Sequence, residues 1–303
     1  MQKNNPKYVF MLLLTAMIWG SAFVAQSKGN DFLGPFTFDA ARNVIGGLVL
    51  IPLIPLLKRF SGREGMPETA ESKKALWVGG IGCGLLLGLA SSLQQWGILY
   101  ASVGKAGFIT SMYIVIVPVL GIFVKRNPGL KVWIAVAISV WGLYLLCWGG
   151  GGFGLGEVLL FGCSLLFSLH ILLVDRFSPK VDGLKLSCVQ FCTAGVLCTI
   201  LAFLFETPSL SAILSAAGPI LYAGVLSSGV AYTLQIIAQK RVEPTLASLV
   251  LSLESVFSVL CGWIILHEAL SMRELMGCVL MFGAIVLAQL PDRKKAEVAG
   301  AEA

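Results

Sequence analysis

Long apolar runs separated by short polar stretches recur along the whole chain, and their lengths predict ten helices. A bilayer core is crossed by about 20 apolar residues in helical conformation. Runs of that kind cover 8–27, 36–57, 76–98, 105–125, 131–149, 156–175, 185–206, 216–238, 245–266 and 273–291. Period-two alternation is absent from them, which excludes a β-barrel and leaves helices to satisfy the backbone polar groups in lipid. The stretches 57–75 and 292–303 read as polar loop and tail. Lys3 and Lys7 precede the first run, but that run continues to Gln26, too long for a signal-peptide core, so it reads as a retained first helix.

A second pattern is internal. Shifting the chain by 141 residues lays Leu93 and Gln94 on Leu234 and Gln235, Ala106 on Ala247, Ser111 on Ser252, Gly121 on Gly262 and Gly142 on Gly283, without a gap. Nearer the start, a shift of 148 lays Trp19 on Phe167, Arg42 on Gln190 and Gly47 on Gly195. The expected organisation is therefore two five-helix repeats, 1–150 and 151–292, followed by a cytoplasmic tail at 293–303. Five is odd, so the second repeat enters the membrane from the opposite side. The expected fold class is an all-α integral membrane protein with two inverted repeats and a site near the midplane between them.

Charge decides the orientation. With a cytoplasmic N-terminus, eighteen of the 22 basic residues fall in inner loops and tails. Only Lys28, Lys105 and Arg273 fall outside, and Arg42 lies within the second helix. This places both termini in the cytoplasm of a bacterial inner membrane. Charged residues make up 13% of the 303-residue chain and hydrophobic ones 57%, against the ~25% charged residues of a soluble domain. The net charge of +6 sits at helix ends rather than on one face, which excludes a nucleic-acid partner. The eight cysteines, Cys83, Cys147, Cys163, Cys188, Cys192, Cys198, Cys261 and Cys278, lie within apolar runs and read as small buried hydrophobes. None has zinc spacing to a histidine, and no metal or cofactor is expected.

Candidate chemistry lies in the polar residues at membrane depth, where each ionisable group costs at least ~2.5 kcal/mol on insertion scales. Glu254, in the middle of the ninth run, is the clearest. It reads either as a site for a proton or a substrate amine, or as a structural hydrogen bond to a neighbouring helix. Arg42 has Asp39 three residues before it on the same helical face. It reads either as a local ion pair that lets Arg42 reach outward, or as an anion-attracting cation at a cavity mouth. Gln94, Gln95, Tyr113, His170, Gln190, Tyr232 and Gln235 add weaker polarity. The repeat pairs Gln94 with Gln235, Arg42 with Gln190 and Tyr113 with Glu254, as expected of one polar path with two mouths. Gly80, Gly84 and Gly88 form a small-residue stripe for close helix approach. Pro118 predicts a kink in the fourth helix.

Several apparent motifs lack their context. Gly149, Gly151 and Gly154 match a dinucleotide-binding spacing but follow an apolar helix, not a strand, and read as a flexible connector. His267 and Glu268 begin a metalloprotease motif that Ser271 ends. No P-loop or nucleophile elbow appears, so the chain is not expected to be an enzyme.

Three short motifs carry a resemblance. Trp19, Gly20, Ser21, Ala22 and Phe23 in the first run, Gly104 to Ile109 before the fourth, and Ser252, Leu253 and Glu254 in the ninth resemble the EamA-type carriers of the drug/metabolite transporter superfamily. The resemblance spans roughly residues 8–290. It departs at Ser255, where many relatives carry proline after the glutamate, which puts the local helix distortion in question. It implies two EamA repeats around a central cavity, export of amino acids or other small metabolites as the commonest role, and Trp19, Tyr113 and Glu254 as cavity residues; the inverted repeats and Glu254 themselves lead to the expectation of alternating access, with proton coupling as one mode. A flippase for a lipid or lipid-linked substrate is the alternative within the same fold. The partners are a small-molecule metabolite and the lipid bilayer, with a monomer and a homodimer both open.

Overall fold

The computed structural model describes residues 5–61, 69–123, 129–147, 154–267 and 271–289. All regular structure among them is helical. The helices are α1 Pro6–Asn30, α2 Pro35–Ser61, α3 Ala70–Ile98, α4 Val103–Thr110, α5 Tyr113–Phe123, α6 Leu130–Cys147 and α7 Leu155–Phe177. They continue with α8 Gly183–Phe205, α9 Leu210–Ser215, α10 Ala217–Leu221, α11 Tyr232–Gln239, α12 Pro244–Leu251, α13 Glu254–Leu266 and α14 Met272–Gln289. A π-helical stretch, Tyr222–Ala231, joins α10 to α11.

Among the described residues, eight helical stretches are long and apolar enough to cross a membrane. Pairs α4/α5 and α12/α13 each count as one, as does Ala217–Gln239. Two shorter apolar helices, Leu130–Gly142 and Leu275–Ala288, fall where the fifth and tenth runs were expected. Large apolar side chains such as Leu48, Trp77, Phe203 and Ile264 are exposed on the outer faces, the surface a bilayer covers. Polar side chains turn inward instead: Asp39, Arg42, Gln95, His170, Gln190 and Glu254 are all buried.

The helix starts follow local chemistry. Asn5 Oδ1 accepts from Lys7 N at 3.0 Å ahead of Pro6, and Thr69 Oγ1 accepts from Ser72 N at 3.1 Å. Asp182 Oδ1 accepts from Leu184 N at 2.9 Å, and Pro244 opens α12. These are the side chains that satisfy first-turn N–H groups, or lack one. The loop expected at 57–75 is correspondingly shorter: α2 runs to Ser61, and the Thr69 cap starts α3 at Ala70. Residues 62–68 and the tail 292–303 lie outside the described residues, as do Gly149 and Gly151, while Gly154 precedes α7. The side chains of Cys147 and Cys278 are likewise not described, and the described cysteines are free thiols.

Helix packing repeats under exchange of the two parts of the chain. The helix α2 packs on α8, its own counterpart, and α6 packs on α14, its own counterpart. The contact of α3 with α7 is matched by that of α11 with α1, and α3 with α8 by the π stretch with α2. Likewise α4 meets α13 as α12 meets α5. The glycine stripe of α3 is where α8 comes close. A Cβ on Gly84 would lie 2.6 Å from the Gln190 carbonyl oxygen, so no larger residue fits between these backbones.

The helical stretches over the fourth and ninth apolar runs are broken at matched positions. Each shorter helix ends one residue before a serine, Ser111 or Ser252, and the next begins two residues after it, at Tyr113 or Glu254. The bonds also match. Ser111 N donates to Gly107 O and Ser252 N to Ser248 O, both at 3.0 Å. Met112 N donates to Ile109 O and Leu253 N to Val250 O, both at 3.2 Å. The change from i−4 to i−3 acceptors tightens the helix and redirects it. Pro118 is therefore not the origin of the break: it lies within α5, downstream, and the second copy breaks with no proline. There Ser252 Oγ donates to Leu249 O and Ser255 Oγ to Ser252 O, both at 2.7 Å. Such serine back-bonding bends a helix, so Ser255 supports the distortion in proline's place.

Candidate functional site: a buried polar cavity at the two helix breaks

The two breaks meet. Tyr113 Oη, at the start of α5, donates to Glu254 Oε1, at the start of α13, at 2.9 Å. Ser111 Oγ donates to Ser252 O at 3.4 Å and to Glu254 Oε1 at 3.5 Å. Tyr113 and Glu254 are counterparts under the 141-residue shift, so each touches its own mate. A residue that contacts its counterpart sits where the axis relating two copies would run. Glu254 is buried, and among the described residues it has no ion-pair partner.

A small polar cavity opens beside this pair. Trp19, Phe23 and Gln26 line it from α1, spaced four and three apart on one helical face, and Arg42 from α2. Gln94 comes from α3, while Phe167, His170 and Ile171 come from α7. Ser227 of the π stretch and Tyr232 and Gln235 of α11 complete the wall with Tyr113 and Glu254. Side chains crowd it closely enough that, in this conformation, it suits water-sized occupants rather than a metabolite. Aromatic rings form one side: Trp19 lies 4.5 Å from Tyr232, which packs edge-on against Phe191 at 5.4 Å and His170 at 6.0 Å.

Among the described residues, several polar atoms here have no partner. Trp19 Nε1, Gln26 Oε1, His170 Nδ1 and Gln235 Oε1 are buried without a hydrogen bond. Buried polar groups are almost always bonded to something, so a wall with both donors and acceptors left open fits water or a polar ligand. Gln94 Nε2 is held by Thr110 Oγ1 at 3.3 Å.

Arg42 does not reach outward. Its Nε donates to Asp39 Oδ1 at 2.5 Å, and both residues are buried. Two other candidate residues lie off the wall. Gln95 faces α1, donating to Asn30 Oδ1 at 2.7 Å and to Gln26 O at 3.1 Å. Gln190 sits behind His170, its Oε1 3.1 Å from His170 Nε2. Phe23, Gln26, Phe167, Ile171 and Ser227 were not among the sequence candidates. The first two share the helical face of Trp19, and Phe23 and Ile171 correspond under the shift of 148 that joins Trp19 to Phe167.

The EamA-like transporter family model matches residues 6–148 and again residues 154–290. The chain belongs to the EamA-like transporter family. It is a multi-pass membrane transporter and not an enzyme. An uncharacterized transporter of Archaeoglobus fulgidus is 28% identical over 92% of this chain and 84% of its own. The uncharacterized transporter YoaV of Bacillus subtilis is 24% identical over 91% of this chain and 94% of its own. A protein of solved crystal structure, 20% identical, has the same fold with a TM-score of 0.74, covering 94% of this chain and 97% of that one.

Proposed function

We propose that this EamA-like transporter moves a small amphipathic metabolite, such as an amino acid, by alternating access. Two inverted five-helix repeats, 1–150 and 151–292, rock around the cavity. The observation that carries this reading is the Tyr113–Glu254 contact, where matched helix breaks from the two halves meet beside unpartnered donors and acceptors. Ten spans follow if the two shorter apolar helices also cross the membrane, and the basic loops then put both termini in the cytoplasm of an inner-membrane protein. Export is the direction proposed, and a proton is the proposed coupling ion, with Glu254 as the group that takes it up and releases it. The carboxylate faces the polar cavity, and the nearest donor it meets among the described residues is a tyrosine hydroxyl that can follow either protonation state.

The alternative, a flippase for a lipid or lipid-linked substrate, needs a polar cavity that opens sideways. A lateral groove does lie between α2 and α8, with about 690 Å³ of open space lined by Val44, Leu48, Cys192, Gly195, Val196, Thr199 and Ile200. It shares no lining residue with the polar cavity, which supports the metabolite reading. The test is Glu254→Gln in proteoliposomes under an imposed pH gradient, with internal pH read by a trapped dye and metabolite release read by mass spectrometry. The variant inserts and folds normally but loses gradient-dependent flux. Unchanged gradient-dependent flux removes Glu254 from the coupling role.

A further inference from the structure

Arg42 is a cation on the cavity wall, but it is not alone. Behind it Asp39 is fully buried and collects donors from three helices. Asp39 Oδ1 takes Arg42 Nε, while Oδ2 takes Ser91 Oγ at 2.6 Å and Ser92 Oγ at 3.2 Å from α3. Cys198 Sγ of α8 adds a fourth donor at 3.1 Å. A carboxylate holding that many hydrogen bonds is fixed as an acceptor, and it cancels the charge of the guanidinium it touches.

The consequence concerns selectivity. Without Asp39, Arg42 would make this wall an anion site. With Asp39, Arg42 presents a neutralised, rigid hydrogen-bonding edge, and Glu254 is left as the wall's carboxylate without an ion-pair partner among the described residues. We infer that Asp39 is a specificity-determining and positioning residue. By neutralising Arg42 it makes the cavity select a ligand with a cationic amine head and reject simple carboxylates of the same size. The inference rests on the reading of this cavity as the transport site and adds the charge class of what it takes. It also gives the buried serines and thiol around Asp39 a role, since each holds the carboxylate in place.

The test uses the full-length detergent-solubilised protein and two probes of matched shape, propylammonium chloride and sodium propionate. Thermal unfolding is followed by intrinsic tryptophan fluorescence. Wild type is stabilised by propylammonium at concentrations at least about tenfold below those at which propionate acts. Asp39→Asn unmasks Arg42 and reverses that order, an effect that loss of packing alone does not produce. Asp39→Asn with Arg42→Gln abolishes the response to propionate. If Asp39→Asn does not fold, Arg42→Gln alone decides: it keeps or strengthens the preference for propylammonium. The inference is overturned if wild type prefers propionate, if Asp39→Asn retains the wild-type order, if Arg42→Gln loses the preference, or if neither probe stabilises any form. A loss of gradient-dependent flux in Glu254→Gln alongside any of those results overturns the selectivity inference while leaving the transport site standing.

Discussion

Gly20 offers the sharpest packing test, because the structure predicts opposite signs for the same substitution at two helical glycines. A Cβ on Gly20 would lie 2.4 Å from Phe257 Cβ, 2.7 Å from Glu254 O and 2.8 Å from Ser258 N. Ordinary carbon contacts sit near 3.5–4.0 Å, so α1 and α13 must separate by about 1 Å. Two of the three neighbours are backbone atoms, so no rotamer change relieves the clash. Overpacking of this kind costs ~1–3 kcal/mol, and the upper part of that range applies here. Replacing a mid-helix glycine with alanine returns ~1 kcal/mol, leaving Gly20→Ala destabilised by about 2 kcal/mol. Among the described residues, nothing lies within 4 Å of a Cβ built on Gly283 of α14. Gly283→Ala therefore only gains, by up to ~1 kcal/mol. Thermal unfolding of the two purified variants should place them on opposite sides of wild type, several degrees apart. Gly20→Ala should also transport poorly, because the shift displaces the Glu254 backbone itself. A Gly20→Ala protein as stable and active as wild type would show that the close approach of α1 to the second helix break is wrong.

Two further substitutions probe the site and its frame. Tyr113→Phe removes the hydrogen bond to Glu254 and leaves a buried carboxylate one donor short. The expected cost is ~1–3 kcal/mol, seen as a lower unfolding temperature, together with an altered pH profile of flux in proteoliposomes. An unchanged pH profile refutes the coupling between the pair. Glu206, at the end of α8, accepts from Phe36 N at 2.9 Å and Thr37 N at 2.8 Å, closing the N-terminus of α2. Glu206→Ala strips these charge-assisted bonds at the helix start and should destabilise the protein by ~1–2 kcal/mol, with Glu206→Gln intermediate. Equal stability of all three forms in thermal unfolding would remove Glu206 from that role.

Much of the architecture can be read from the sequence because lipid imposes one rule on every span: the apolar runs must be long and helical. Eight of the ten runs coincide with helical stretches long enough to cross a membrane and the other two with shorter apolar helices, and the resemblance carried by the Trp19, Lys105 and Glu254 motifs matches the family found. Trp19, Arg42, Gln94, Tyr113, His170, Tyr232, Gln235 and Glu254 line the cavity, because polar side chains at membrane depth have few other places to go. Gln95 and Gln190 show the limit of that logic. Gln95 follows Gln94 directly and so points about 100° around the helix, into α1. Gln190 is one layer back, behind the His170 it holds. The apolar lining residues Phe23, Phe167 and Ile171 carry no polarity signal, and only helical spacing from Trp19 or the repeat shift would find them. The breaks after Thr110 and Leu251 lie in matched turns of i−3 backbone bonding that no hydropathy pattern registers. The π stretch at Tyr222–Ala231 looks like ordinary apolar helix in the sequence. Asp39 was visible as the partner of Arg42, but its bonds to Ser91, Ser92 and Cys198 come from helices 52 to 159 residues away and exist only in the folded packing.

The most direct test of the account is side-specific access to the cavity. Gln94→Cys and Gln235→Cys, each made in a chain freed of its native cysteines, are exposed to a membrane-impermeant thiol reagent from one face and then the other. Alternating access predicts that each position reacts from both faces, with rates that respond in opposite directions to an imposed pH gradient. Reaction from neither face, or from one face alone under every gradient, contradicts a cavity that the two halves open in turn.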